Sequence, residues 1–254
     1  MIDSGHNTTT GWRPSRYIRD QLKRKRLDYL FVTNADQDHL SDLDGLWHEG
    51  IEVSTLYRNW SPASPVLRQI KQVQGELTND IERYLKIHSE YVFPVAVPFD
   101  QGMEGATCSV FCNAHPDFTD TNNLSLAVFI KYGGFKILFP GDLEEAGWKK
   151  LLTNPSFVSE LSGTTILVAS HHGRYGGFCD EVFNYFTPQA VVISDKPIAH
   201  ETQETVPDYL QVVNGYGVSV VDHDRRRHVL TTRRDGDIEF RVAENGNFWI
   251  TTAK

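Results

Sequence analysis

The sequence predicts a layered α/β fold, and three observations carry that prediction. Apolar runs recur along the chain and end in clusters of polar residues, helical periodicities alternate with them, and a Gly133-Gly134 turn joins two of the runs as a hairpin. A basic helical stretch, Ser15 to Arg26, leads into the strand Leu27 to Thr33. Asn34-Ala35-Asp36-Gln37-Asp38-His39 follows at once, then a helix through Trp47. Ile51 to Tyr57 reads as a strand and Pro65 to His88 as one long amphipathic helix. Strands are expected at Glu90 to Val97 and Thr107 to Cys112, and a turn-rich loop at His115 to Asn123. The hairpin then pairs Ser125 to Tyr132 with Phe135 to Phe139, which runs into Pro140-Gly141-Asp142. A helix from Leu143 to Leu152 precedes the strand Thr165 to Ala169, which ends in Ser170-His171-His172-Gly173. A helix near Asp180 to Phe186, a strand at Ala190 to Ile193, a helix over Gln203 to Asn214 and short strands to Thr252 complete the order. No linker or repeat interrupts it, so residues 1–254 are expected to form a single domain.

Composition narrows the function classes. The 254 residues are 40% hydrophobic, which excludes disorder, and a chain of this length buries roughly three-quarters of its unfolded surface. No run approaches the roughly 20 apolar residues of a membrane-spanning helix, and the start has no leader pattern, so a cytoplasmic protein without a membrane partner is expected. Three cysteines without a Cys-x-x-Cys argue against a disulfide framework or a zinc knuckle. A net charge of −8, from 25 Lys and Arg against 33 Asp and Glu, argues against bulk capture of a polyanion. The basic exceptions are Arg19 with Lys23 to Arg26, and Arg225 to Arg227 with Arg233-Arg234, which read first as solvated faces and second as anion tracks.

The chemistry-bearing residues lie just past strand ends: Asp36, Asp38 and His39, then Asp142, then His171 and His172. Loops leaving strand ends in layered α/β folds share a rim, so these groups can converge. Carboxylates and neutral imidazoles together suit zinc or manganese, and a metal lowers the pKa of bound water to about 7. Two-residue alternation from Leu167 and Ala169 favours His171 over His172 as the ligand. The plain alternative is a capped helix start with turn carboxylates, Asp38 being the cap.

Asp36-x-Asp38-His39 after a strand, Gly141-Asp142 after a hairpin, and Ser170-His171-His172-Gly173 resemble the metallo-β-lactamase fold superfamily, as does Ile2-Asp3-Ser4-Gly5. Within it, Asn34 to His39, Asn122-Asn123-Leu124-Ser125-Leu126, Gly141-Asp142, His171-His172-Gly173 and Ala199-His200-Glu201 resemble the ComEC-like branch, named after a domain attached to the DNA-uptake channel of competent bacteria. The resemblance covers nearly the whole chain and implies a four-layered αββα sandwich, here lacking the usual first strands. It implies one metal position made by Asp38, His39, bridging Asp142 and His171 or His172. A second position would use residue 34, Asp36, Asp142 and a group near Asn122 or Asn123. Asn34 stands where the branch has histidine, and an amide oxygen is the poorer ligand, so one firm and one weak site for Zn2+ or Mn2+ are expected.

The implied function is a metallohydrolase, nuclease-like, cleaving phosphodiester bonds with metal-activated water. Asp38 would orient that water, and His200 or His172 would donate a proton. Arg174, Tyr175 and Asn123 would contact the substrate, a phosphodiester or nucleic acid. A small-molecule esterase or phosphoesterase is the alternative within enzymes; a non-catalytic binding module, with Asn34 marking a dead site, is the alternative outside them. His48 and His88 are expected on solvated helix faces, and Cys108 and Cys112 in the core.

Overall fold

The computed structural model describes residues 1–93, 95, 98, 99, 103–198 and 201–253. It is a mixed α/β protein, and the chain divides into two compact units, Met1–Ala96 with Cys112–Leu126, and Val97–Phe111 with Ala127–Lys254. Among the described residues no helix is long and apolar enough to cross a membrane.

The first unit opens with α1 (Pro14–Asp20), β1 (Arg26–Phe31), α2 (Gln37–Leu40), α3 (Leu43–His48) and β2 (Glu52–Tyr57). β1 and β2 pair in parallel, as strands joined by a helical crossover must, and Ile2 adds a parallel bridge to Phe31. Leu30, Val32, Leu40, Leu43, Leu46, Val53 and Leu56 form its core. The long helix expected from Pro65 to His88 is two helices, α4 (Ser64–Gln74) and α5 (Asn79–Glu90). Gly75, at φ +155°, stops the first, and the Thr78 hydroxyl caps the second by accepting from Ile81 N–H at 3.2 Å. The strand expected over Glu90 to Val97 is absent from its described residues: Glu90 ends α5, and residues 94, 96 and 97 lie outside the described set.

His88 also departs from expectation. It is only 4% exposed on the core face of α5, which buries Ile81, Tyr84, Leu85 and His88 at helical spacing. Arg58 Nε donates to His88 Nδ1 at 3.0 Å, and His88 Nε2 donates to Pro62 O at 3.0 Å. The buried Arg58 guanidinium also donates to the carbonyls of His88 and Tyr91 and lies 3.6 Å from the Trp60 ring centroid.

The second unit contains β3 (Thr107–Cys112), β4 (Leu126–Tyr132), β5 (Phe135–Phe139), α6 (Glu145–Leu152), α7 (Pro155–Leu161), β6 (Ile166–Val168), β7 (Ala190–Ile193), α8 (Val206–Val212), β8 (Val229–Thr231), α9 (Thr232–Asp235), β9 (Ile238–Val242) and β10 (Phe248–Thr252). β3 and β4 straddle the unit boundaries at Cys112 and Leu126. A mixed sheet runs in the order β3-β4-β5-β6-β7-β8, antiparallel between β4 and β5 and parallel from β5 to β8. Its inner strands are apolar on both faces, as parallel strands covered on both sides are. Leu138, Leu167, Ala169, Val191, Ile193 and Val229 join the core of Trp148, Leu151, Phe157, Leu161 and Tyr209. Phe135, Ile166, Ala190, Val192 and Leu230 join the opposite core, covered by Phe240, Phe248 and Ile250 of the β9–β10 hairpin. The helix expected near Asp180 to Phe186 is a 3-10 segment, Asp180–Asn184. Cys108 is buried as expected, whereas Cys112 is exposed.

Burial, with Arg58 beside it, holds the His88 imidazole down to about 4, against the single opposing hydrogen bond to Pro62. A group held neutral in the native state and titrating near 6.5 when unfolded draws protons to the unfolded chain as pH falls through that window. Stability should therefore drop between pH 6.5 and 4, by about 3 kcal/mol from this residue. Urea unfolding at pH 7 and pH 4.5 should show a smaller pH-dependent loss in His88→Gln than in the parent chain.

Candidate metal-binding residues

In the first unit the Ile2-Asp3-Ser4-Gly5 segment lies against β1 and the start of α2. Asp3 N–H donates to Phe31 O and Ser4 N–H to His39 O, each at 2.7 Å, and Asp42 N–H donates to Ser4 O at 2.9 Å. These bonds deliver the Asp3 carboxylate to Thr33 and His39. Oδ1 accepts from Thr33 N–H at 2.7 Å, and Oδ2 accepts from Thr33 Oγ1 at 2.6 Å and His39 Nδ1 at 2.8 Å. With Nδ1–H donated to a carboxylate, the buried His39 ring carries its lone pair on Nε2, the tautomer a metal-ligating histidine uses. The Asp3 side chain, which no local sequence pattern links to residue 39, is what holds the His39 ring.

Asp38 is exposed in the first turn of α2, and Asp36, at the helix's N-cap position, makes no side-chain capping bond. Asp36 belongs to a different network. Its Oδ1 accepts from Lys71 Nζ at 2.5 Å and from Thr121 Oγ1 at 2.8 Å. Asn34 is buried, with Nδ2 donating to Asn122 Oδ1 at 3.1 Å and Oδ1 accepting from Asp36 N–H at 3.2 Å. Asn123 is buried as well; its backbone N–H donates to Asp120 Oδ1 and its carbonyl accepts from Asn113 Nδ2. A buried loop position of this kind is poorly placed for substrate contact.

In the second unit β6 ends at Val168, and strand alternation stops before the two histidines. His171, His172 and Gly173 have φ of +51°, +54° and +71°, a left-handed run that costs each histidine about 1–2 kcal/mol. Surrounding bonds impose it. Ser170 Oγ donates to Leu143 O at 2.6 Å, His171 N–H donates to Gly141 O at 3.1 Å, and a Cβ on Gly173 would stand 2.7 Å from Ile193 Cγ2.

The turn sends the two imidazoles to different partners. His172 Nδ1–H donates to Ser194 O at 2.9 Å, which leaves the lone pair on Nε2, 3.8 Å from Oδ1 of the buried Asp142. That separation is too long for a hydrogen bond, yet within the sum of one zinc–nitrogen and one zinc–oxygen bond, about 4.2 Å. His171 Nε2 instead accepts from Arg174 Nη1 at 3.3 Å, and its buried Nδ1 stands 3.4 Å from Glu144 Oε1 without hydrogen-bond geometry. Burial holds the His171 imidazole below its ordinary pKa; Arg174 and His172 add to this, while Asp142 and Glu144 oppose it. A lone pair given to a guanidinium is a poor metal donor, so the geometry favours His172 over His171, the reverse of the expectation from alternation. Arg174 is exposed, Tyr175 is 68% exposed, and His200 lies outside the described residues.

Four residues of the basic clusters are held by partners within the protein. Arg19 meets Asp20 and Glu49, Arg227 meets Asp235, and Arg233 meets Asp195. Arg226 donates to Tyr216 O, Gly217 O and Ser219 Oγ.

No family model matches the chain. It is similar to ComE operon protein 3 of Bacillus subtilis (strain 168), 24% identical over 225 residues, which are 85% of this chain and 25% of that protein. The chain thus spans about a quarter of that relative's length.

The Asp3–His39 pair can be tested without metal. Nitrogen-detected histidine NMR should show His39 protonated at Nδ1 in the parent chain and a mixture of tautomers in Asp3→Asn; an unchanged His39 spectrum in the variant would refute the assignment.

Proposed function

We propose that this chain is a metal-dependent hydrolase that cleaves phosphodiester bonds, with nucleic acid the favoured substrate and the cytoplasm its compartment. The finer fold assignment, a metallo-β-lactamase-like αββα sandwich of the ComEC-like branch, belongs to the same reading. The observation that carries it is the pair of imidazoles whose Nδ1–H groups are fixed by oxygen acceptors, His39 by Asp3 and His172 by Ser194 O. The ordered motifs of the sequence and the similarity to ComE operon protein 3 support it.

Within the second unit the donors in this reading are Asp142 and His172; the motif resemblance adds Asp38 and His39 of the first unit. A bound zinc or manganese ion would supply a Lewis acid for the phosphoryl oxygen and a lowered pKa for water. The protein's own groups orient and exclude. Asp3 and Ser194 O keep both rings in one tautomer, so no reorientation precedes binding. Burial of Asp142 strengthens its attraction for a cation. His171 stays neutral at pH 7 and is a poor proton donor; the exposed Arg174 beside it can meet a phosphate oxygen. Tyr175 offers an open ring face for a base.

Metal analysis and manganese- or zinc-dependent cleavage of bis-p-nitrophenyl phosphate and of DNA test this reading. Asp142→Asn and His172→Ala should each lower turnover by about 100-fold or more and reduce bound metal, whereas His171→Ala should cost less than about tenfold. Activity that survives both Asp142→Asn and Asp38→Ala would remove the proposal.

A further inference from the structure

Asp36 and Asn34 occupy motif positions that would serve a second metal ion, and in this chain they do not fit one. Both heteroatoms of the Asn34 amide are engaged, by Asn122 and by the backbone of Asp36. The Asp36 carboxylate belongs to a closed ring of hydrogen bonds. Lys71 Nζ donates to Asp36 Oδ1 and to Gln74 Oε1, each at 2.5 Å; Gln74 Nε2 donates to Thr121 Oγ1 at 3.1 Å; Thr121 Oγ1 returns to Asp36 Oδ1 at 2.8 Å. Lys71 and Gln74 stand one turn apart on α4, so the helix presents both from one face.

Lys71 is only 6% exposed. Burying an ammonium is costly unless a carboxylate and further acceptors answer it, and the ring supplies these acceptors. The cation is therefore built into this position. An incoming divalent ion would have to displace the ammonium or lie beside it, and two cations about 4 Å apart repel strongly in a partly buried setting.

We propose that the Lys71 ammonium takes the charge-balancing place of that second metal, so that the chain binds one divalent ion where its motif pattern implies two. This rests on the metal-dependent reading above for the ion that remains. The consequence is a permanently seated positive charge at Asp36, independent of metal supply.

The test uses the full chain, with Asp36→Asn, Lys71→Met and the double variant, manganese or zinc as the probe, and thermal unfolding alongside. One tight equivalent is expected in the parent chain, retained in Asp36→Asn and lost in Asp142→Asn. Each single variant should lower Tm by stranding a charge or its acceptors, and the double variant should recover most of the loss, even if Lys71→Met alone folds poorly. Two tight equivalents with one lost in Asp36→Asn, or strictly additive Tm losses, would overturn the proposal. A parent chain that binds no metal would overturn the hydrolase reading instead, and the Tm cycle would still decide whether Lys71 balances Asp36.

Discussion

A carboxylate taken out of water must be answered by donors or by a cation, and in this acidic chain that requirement ties remote segments together. Asp42 accepts from Arg13 Nη1 and Ser15 N–H, joining the start of α1 to the α2–α3 junction. Asp3 gathers Thr33 and His39. Asp235 takes Arg227 and Thr231 N–H, and Asp195 takes Arg233, which fixes the turns around β8. Asp142 is faced by an imidazole nitrogen beyond hydrogen-bonding distance, an arrangement suited to a shared ion.

The histidines are differentiated by what holds their second nitrogen. A carboxylate on His39 and a carbonyl on His172 direct the lone pair to Nε2; a guanidinium on His171 consumes it; Arg58 and Pro62 O engage both nitrogens of His88 and leave a structural ring. Residue type alone distinguishes none of these four, because the decisive atom lies on another segment for His39, His172 and His88 and three residues downstream, on Arg174, for His171.

The strands from β1 to β7 were legible because apolar alternation and turn residues are local signals, and the Gly133-Gly134 hairpin was the plainest of them. The break at Gly75 was less so, since amphipathic spacing continues on both sides of it. The acidic and histidine positions stood out by composition. Their partners did not: the left-handed turn at His171 and His172 is imposed by Gly141, Leu143 and Ile193, and Lys71 reaches Asp36 across 35 positions. His88 looked solvated among charged neighbours because helix charge patterns do not reveal which face a buried Arg58 requires.

The sheet of the second unit sorts its side chains by parity: Ile166 enters one core, Leu167 the other, and the same holds for Val191 against Val192 and Val229 against Leu230. Adding one residue within β6 would exchange the two cores' contributions and rotate the histidine turn that follows. Insertions and deletions in evolving copies of this chain should therefore be excluded from β5 to β8 and confined to the connections. In those strands, drift can proceed by replacement of side chains alone.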